Sequence, residues 1–399
     1  MSTTPFNVKL GEVAEINPKL PEALSNDAIV SFLPMSAVST DTATTTADVN
    51  RPYADVCKGY TPFLNGDVLV AKITPCFENG KIAQASLRNE VGFGSTEFHV
   101  LRPRPDQLNA RYLLHYLRQG KIRRDGERKM TGSGGQRRVP EYFLANLVLP
   151  LPPLSEQGRI VEVLDNAEEL RAKRRAALAK IHGLTLSIFL DMFGDPKSNP
   201  KGWPIEMMGE LLAESPIFGT MIPPKAEKLG SLSLRVGNIR DWNLDLRDKK
   251  YVDLPLGSVE RHTVKDGDIL LARAIASQDH LGKCIVAYPS GDNWAFDSHL
   301  MRLRFDRTKA EPEFIRQLLM TPGGRSLFLS ASRKSTVQFN INTKEISTLR
   351  IPVPPVDSQR EFSDSIAVVA KLKAAHYASL TELDALFASL QHRAFRGEL

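Results

Sequence analysis

Cysteine is scarce: three in 399 residues, Cys57, Cys76 and Cys284, odd in number and far apart. That excludes a disulfide framework. With no C-x-x-C and no compact His/Cys cluster, no structural zinc is expected either. No apolar run approaches the ~20 residues of a membrane span. The start, MSTTPFNVKLGEVAEI, has neither the basic nor the apolar stretch of a secretory signal. The expectation is a soluble chain of a reducing compartment, the cytoplasm, with no membrane partner.

Catalytic signatures are missing as well. There is no Gly-rich loop ending in Lys-Ser/Thr, hence no P-loop. GSGG at 132–135 runs into Gln136-Arg137-Arg138, and GFGS at 92–95 is no dinucleotide-binding pattern, so both read as turns. No Asn/Asp-Pro-Pro-Tyr/Phe tetrapeptide, G-x-S-x-G elbow or H-E-x-x-H helix occurs. The eight histidines are scattered, and His99, His299 and His376 read as structural or surface residues. A non-catalytic chain that holds no metal is expected.

The remainder is an ordinary globular mix, 42% apolar and 25% charged. Its length corresponds to roughly two to four structural units. Lys plus Arg exceed Asp plus Glu by 6, a mild bias compatible with a polyanion.

The chain also repeats itself. LVLPLPPLSEQGRIVEVLD in the middle returns near the end as LRIPVPPVDSQREFSDSIA, with Pro153 matching Pro355 and Gln157 matching Gln359 at a shift of 202. Gly80-Lys81, Tyr112, Gln136 and Phe193 match Gly282-Lys283, Phe314, Gln338 and Phe395 at that shift, and Gly66-Asp67 matches Gly267-Asp268 at 201. This is a tandem duplication. Each copy runs from Gly-Asp turns feeding apolar strands, TPFLNGDVLVAKI and HTVKDGDILLARA, to a strand such as STEFHVLRP or SHLMRLRF. A short amphipathic helix follows (ARYLLHYLRQG, PEFIRQLLM), then a small, basic loop, then a Pro-rich entry to a long helical pattern.

Ser155 is expected to cap the first long helix, with Glu156 in its first turn. Its apolar seam is expected through Val163, Ala167, Leu170, Arg174, Ala177, Ile181, Leu184 and Ile188. The second reads Phe362, Ile366, Val369, Lys373, His376, Leu380, Leu383, Phe387 and Leu390, steps of four and three as in a coiled coil. The polar side chains Arg171, Arg174, Lys373 and His376 are expected to snorkel from the seam edge. From Ser155 to Phe193 is about 58 Å at 1.5 Å per residue, so two such helices are expected to bury each other as an antiparallel pair.

Basic and amide side chains gather at equivalent loops. The first holds Lys72, Thr74 and Lys81 in copy one and Arg273, Gln278 and Lys283 in copy two. The second, residues 121–138, holds Arg123, Arg124, Arg128, Lys129, Gln136, Arg137 and Arg138; its counterpart at 323–338 holds Arg333, Lys334, Thr336 and Gln338. Arg and Lys suit phosphates and guanine edges, and Gln suits adenine. These residues are the candidate DNA contacts, and base reading is expected of Gln136, Thr336 and Gln338.

On these features the layout resembles the specificity subunits of type I restriction–modification enzymes. The features are the two similar halves, GDVLVAK and GDILLAR, STEFHVLRP, the doubled P-P-hydrophobic-x-x-Q and the ending SLQHRAFRGEL. The resemblance implies an α+β protein with two target recognition domains, residues 1–150 and 198–350. Spacer helices in 151–197 and 351–399 would form an antiparallel coiled coil with pseudo-twofold symmetry. It implies reading of a bipartite site on double-stranded DNA and recruitment of two modification (methyltransferase) subunits and of restriction (translocase/nuclease) subunits. S-adenosylmethionine, ATP and Mg would be bound by those partners and not by this chain. A specificity chain for one fused cleavage and methylation partner, or a coiled-coil adaptor without a DNA role, are the other readings left open.

Overall fold

The repeated Gly-Asp pair sets the frame of both copies. Gly66 takes φ 93° and Gly267 φ 81°, left-handed conformations that glycine adopts without a Cβ clash. The aspartate that follows turns back on its own strand. Asp67 accepts a hydrogen bond from the Leu64 backbone N–H at 2.8 Å and a fork from Arg102 at 3.0 and 2.8 Å. Asp268 accepts from Lys265 N–H at 2.7 Å and a fork from Arg304 with both bonds at 2.7 Å. Both aspartates are buried, a placement that needs the paired, fully bonded charge found here.

The computed structural model describes residues 6–399 apart from 23, 41, 47, 241, 276–281, 332 and 335–338, and only the backbone of 274, 275, 333, 334 and 339. The fold is α+β. The chain divides into two compact units, Met1–Leu178 with His376–Leu399, and Ala179–Ala375. In the first, an antiparallel sheet runs in the order Ala14–Ile16, Phe98–Pro103, Val68–Ala71, Ile82–Gln84. In the second, the order Ile217–Phe218, Leu300–Leu303, Ile269–Ala272, Cys284–Val286 is the same, and Val68 opposite Leu101 corresponds to Ile269 opposite Leu303. The strands Val68–Ala71 and Ile269–Ala272 are buried at every residue, hence their unbroken apolar sequences.

A second sheet repeats too. Ile29–Leu33 lies parallel to Val91–Gly94, and Ser231–Leu234 lies parallel to Trp294–Phe296. A ribbon pairs Phe6–Lys9 with Val148–Leu151 in one unit and Ile205–Met207 with Arg350–Pro352 in the other. The amphipathic helices form as expected, Ala110–Leu117 and Pro312–Met320.

The doubled P-P-hydrophobic-x-x-Q has a structural cause. Gln157 and Gln359 are fully buried. Gln157 Nε2 donates to the carbonyls of Pro152 and Gln107, both at 2.8 Å, and its Oε1 accepts the Asn109 N–H at 2.8 Å. Gln359 Nε2 donates to Pro354 at 2.8 Å and to Lys309 at 3.3 Å, and its Oε1 accepts the Glu311 N–H at 2.9 Å. A primary amide, with donors and an acceptor on one planar group, locks the chain entering the short helix to the start of the long one. The expected N-cap at Ser155 is corrected by this arrangement. The helix starts at Leu154, Ser155 lies inside it, and the Pro153 carbonyl accepts the Glu156 and Gln157 N–H groups.

The long helices are Leu154–Phe193 and Val356–Ala394. Within the first unit they pair antiparallel: Arg171 Nε donates to Asp384 at 2.7 Å, and Arg174 donates to His376 Nδ1 at 3.1 Å. Within the second, Phe189 and Phe193 pack on Phe362 and Phe314 with ring centroids 5.0–5.7 Å apart. The seam of the second helix is as expected, with each of its positions buried or half-buried. In the first helix alternate positions slip by one residue: Leu164, Arg171, Leu178 and Thr185 face inward, while Leu170 and Leu184 are exposed. Arg171 does not snorkel. Its side chain is 15% exposed, bonded to Glu168 and Asp384, with its guanidinium 4.4 Å from the Phe387 ring centre.

One sequence expectation on apolar length also changes. An 18-residue window in Leu154–Phe193 reaches mean hydropathy 1.4 with no more than two charged residues, so by length and composition it could cross a membrane. In the fold, Ile181 of this helix is buried, and Phe189 and Phe193 lie in the second unit's core.

Candidate nucleic-acid interface

The two basic segments that stand far apart in the first half's sequence meet in its fold. The Val139 N–H donates to the Lys72 carbonyl at 2.8 Å, and the Thr74 N–H to the Arg137 carbonyl at 2.9 Å. Arg138 pairs with Thr131 to make a hairpin, and Ile73 bridges Arg138 from the other side. The stretch expected as a loop is helical over Gly120–Lys129. It reads as a loop because Ile122 is its one buried apolar side chain and its other buried residue is Gly126. That glycine is there for contact: a Cβ on it would lie 2.5 Å from the Phe77 ring, which rises from the 72–81 loop.

The cations of this cluster divide into two sets. Arg138 forks onto Glu97, with Nη2–Oε1 at 2.7 Å and Nε–Oε2 at 3.0 Å. The hydrogen bond from Arg138 holds the Glu97 carboxyl below its ordinary value despite partial burial. Lys81 donates to the Met35 carbonyl at 3.0 Å. Arg123 lies against Gly80 and reaches toward the Glu78 carbonyl, and Arg137 stands 3.9 Å from Glu78. The Thr74 hydroxyl donates to Glu78 at 2.9 Å. These side chains build the cluster from within. Arg124, Arg128, Lys129 and Gln136 are exposed. Arg128 has only Asp125 at 3.5 Å, and Arg124 and Lys129 have no acidic partner among the described residues. Lys72 is half-buried beneath the hairpin.

The second unit repeats the frame. The Ile341 N–H donates to the Arg273 carbonyl at 3.0 Å, as Val139 does to Lys72. Ala274–Ile275, Phe339–Asn340 and Arg333–Lys334 form a small antiparallel sheet. Arg273 is turned inward: Nε donates to the Ser298 carbonyl at 2.8 Å and the guanidinium sits 4.0 Å from the Phe218 ring centre. Burial lowers its pKa. Lys283 is half-buried. Gln278, Thr336 and Gln338 lie outside the described residues, as do the side chains of Arg333 and Lys334. Sequence reasoning missed Phe77, Glu78 and Glu97, for which the local pattern carries no signal. Among the described residues no group of three or more His, Cys, Asp or Glu could hold a metal ion.

A family model described as the type I restriction modification DNA specificity domain matches residues 6–180. The EcoKI specificity subunit of Escherichia coli K12 is 25% identical over 337 residues, 80% of this chain and 72% of that one. Over residues 6–180 the chain is similar to the type I restriction–modification specificity family. The EcoAI specificity subunit of Escherichia coli, a member of this family, is 46% identical over 153 residues, 38% of this chain. That stretch spans 26% of the EcoAI subunit's length, and the 43% identical match to the EcoEI subunit also spans 26%. Two solved structures share the fold. A chain from a type I restriction–modification system structure, concerned with complex assembly and conformational transition, superimposes with TM-score 0.63 at 20% identity. It covers 99% of this chain and 98% of the other. The system's S subunit from M. genitalium gives 0.56 at 12% identity over 98% and 96%.

Proposed function

We propose that this chain is the non-catalytic, sequence-specific DNA-binding subunit of a type I restriction–modification complex. Each unit reads one half of a bipartite target on double-stranded DNA. The observation that carries this is one frame built twice around different sequence. The Gly-Asp–Arg fork, the sheet order, the buried glutamine lock and the three-segment ribbon recur, while the loops that ribbon presents differ. Two like scaffolds with unlike loops suit a target with two unlike halves. The exposed Arg124, Arg128 and Lys129 suit phosphate contact, which fixes position on the duplex and leaves base edges to other side chains.

Methylation and ATP-driven cleavage belong to partner subunits in this reading, with S-adenosylmethionine, ATP and Mg bound there. The helices offer those partners a surface. Leu170 and Leu386 are exposed in the first unit, Leu184 and Leu372 in the second. Each lies one residue before a seam position, and 170 and 184 correspond to 372 and 386 at the 202 shift. Such flanking positions in an antiparallel pair lie on one edge of the seam, so each unit presents one leucine from each helix. A surface repeated this way suits two copies of one modification subunit.

Co-expression with the modification partner and mapping of methylated adenines tests the reading. A two-part recognition sequence with an unspecified gap is expected. Methylation without sequence preference, or at an uninterrupted site, contradicts it.

A further inference from the structure

Both units raise a hairpin on the same base. Thr131 pairs with Arg138 in the first, and Arg333 with Asn340 in the second, the same positions at the 202 shift. A segment from the loop after the Gly-Asp strand flanks each: Ile73 beside Arg138, and Ala274–Ile275 beside Phe339–Asn340. Between the matching bases the sequences part, GSGGQR at 132–137 against KSTVQF at 334–339, and share only a serine, Ser133 and Ser335, and the glutamine, Gln136 and Gln338, so the two tips carry the same amide in different sequence surroundings. From a shared base carrying a divergent tip, we infer that the 132–137 turn reads the first half-site. Gln136 hydrogen-bonds an adenine edge in the major groove, and Arg124 and Lys129 hold flanking phosphates. The inference rests on the DNA-reading role proposed above.

The base of this hairpin is rigid and its tip bare. Arg138 is fixed by the Glu97 fork, and its Nη1 donates to the Gln136 carbonyl at 3.2 Å. The Thr74 N–H holds the Arg137 carbonyl. Gly132, Gly134 and Gly135 take φ of 131°, 62° and 77°. A Cβ on Gly134 or Gly135 would meet nothing, so these two glycines serve the turn's backbone and not its packing. They leave a narrow ribbon whose only side chain between Thr131 and Gln136 is Ser133. A two-stranded ribbon fits the roughly 12 Å major groove, and an amide pairs its donor and acceptor with adenine N7 and N6. Gln136 is exposed, and its side chain has no hydrogen-bond partner among the described residues.

The test uses the co-expressed complex with its modification partner and measures binding to a panel of single base-pair variants of the mapped site. Gln136→Ala is expected to weaken cognate binding about tenfold to a hundredfold and to abolish discrimination at one A·T pair of one half-site. The other half-site and the salt slope stay unchanged. Gln136→Arg is expected to move the preference at that pair toward G·C. If both variants keep the wild-type preference at every pair, the inference falls while the DNA-reading role stands. If the wild-type complex shows no preference at all, the role itself falls. A thermal melt equal to wild type confirms that the exposed substitutions leave the fold intact.

Discussion

Replacing Gln359 by Leu tests the claim that the repeated glutamine is a structural lock. The substitution keeps a similar side-chain volume and removes three hydrogen bonds. The Glu311 N–H and the Pro354 and Lys309 carbonyls are left without the partner they have now. An unsatisfied buried group costs about 1–3 kcal/mol. The Lys309 bond is the longest of the three at 3.3 Å, and the buried leucine recovers part of the loss. A net destabilisation of about 2–4 kcal/mol follows, which at a urea slope of about 2–3 kcal/mol/M lowers the midpoint by roughly 1 M. The assay is selective because Trp203, Trp242 and Trp294 all lie in the second unit, so tryptophan fluorescence follows the unit that holds Gln359. Gln157→Leu is expected to give a comparable loss in the first unit, read as faster exchange of the Asn109 amide. A Gln359→Leu midpoint within about 0.3 M of wild type would refute the lock, because even one orphaned amide should exceed that.

Other substitutions address charge, pH and assembly. Arg124→Ala and Lys129→Ala should each weaken specific and non-specific DNA binding together and reduce the salt slope by about one, measured by titration at several salt concentrations; loss confined to one base position would rule out a phosphate role. Burial holds His115 below the ordinary imidazole value even though it lies 2.7 Å from Asp165. Burial pushes Asp165 up, but the His115 hydrogen bond and the Arg111 charge outweigh it and hold that carboxyl low. An unfolded histidine takes up a proton near pH 6.5 that folded His115 does not, so the first unit loses stability as pH falls below that point. The Asp165 contribution is lost only in stronger acid, as pH falls through its depressed value. His115→Gln, which copies Gln317 at the matching position, should flatten the increase in amide exchange of Ala110–Leu117 between pH 7.5 and 5.5; an unchanged increase refutes this assignment. Leu170→Asp with Leu386→Asp should leave the melt unchanged while reducing co-purification of a modification subunit, and full retention would place that contact elsewhere.

The duplication, the long helices and the short amphipathic helices were legible because each leaves a periodic or shifted pattern in the chain itself. The seam of the first helix was half legible. Leu170 and Leu184 look like core but are exposed, whereas Arg171 and Thr185 take seam positions, so apolarity and inward facing part company there. Gly120–Lys129 hid as a loop because its contact with the Phe77 ring requires a glycine, a residue that reads as a break. The meeting of the 72–81 and 131–138 segments depends on tertiary hydrogen bonds such as Thr74 to Arg137, which no local pattern announces. For the same reason sequence could not separate Arg138 and Lys81, which are bound inside the cluster, from Arg124 and Lys129, which face outward. The sequence brought out the basic segments and could not tell which of their cations the fold ties down and which it leaves exposed.

The most direct measurement exchanges residues 1–150 for the matching segment of a relative with a different target and maps adenine methylation by the hybrid complex. The account predicts a new sequence in one half of the site, with the other half kept. Change in both halves, or in neither, would contradict it.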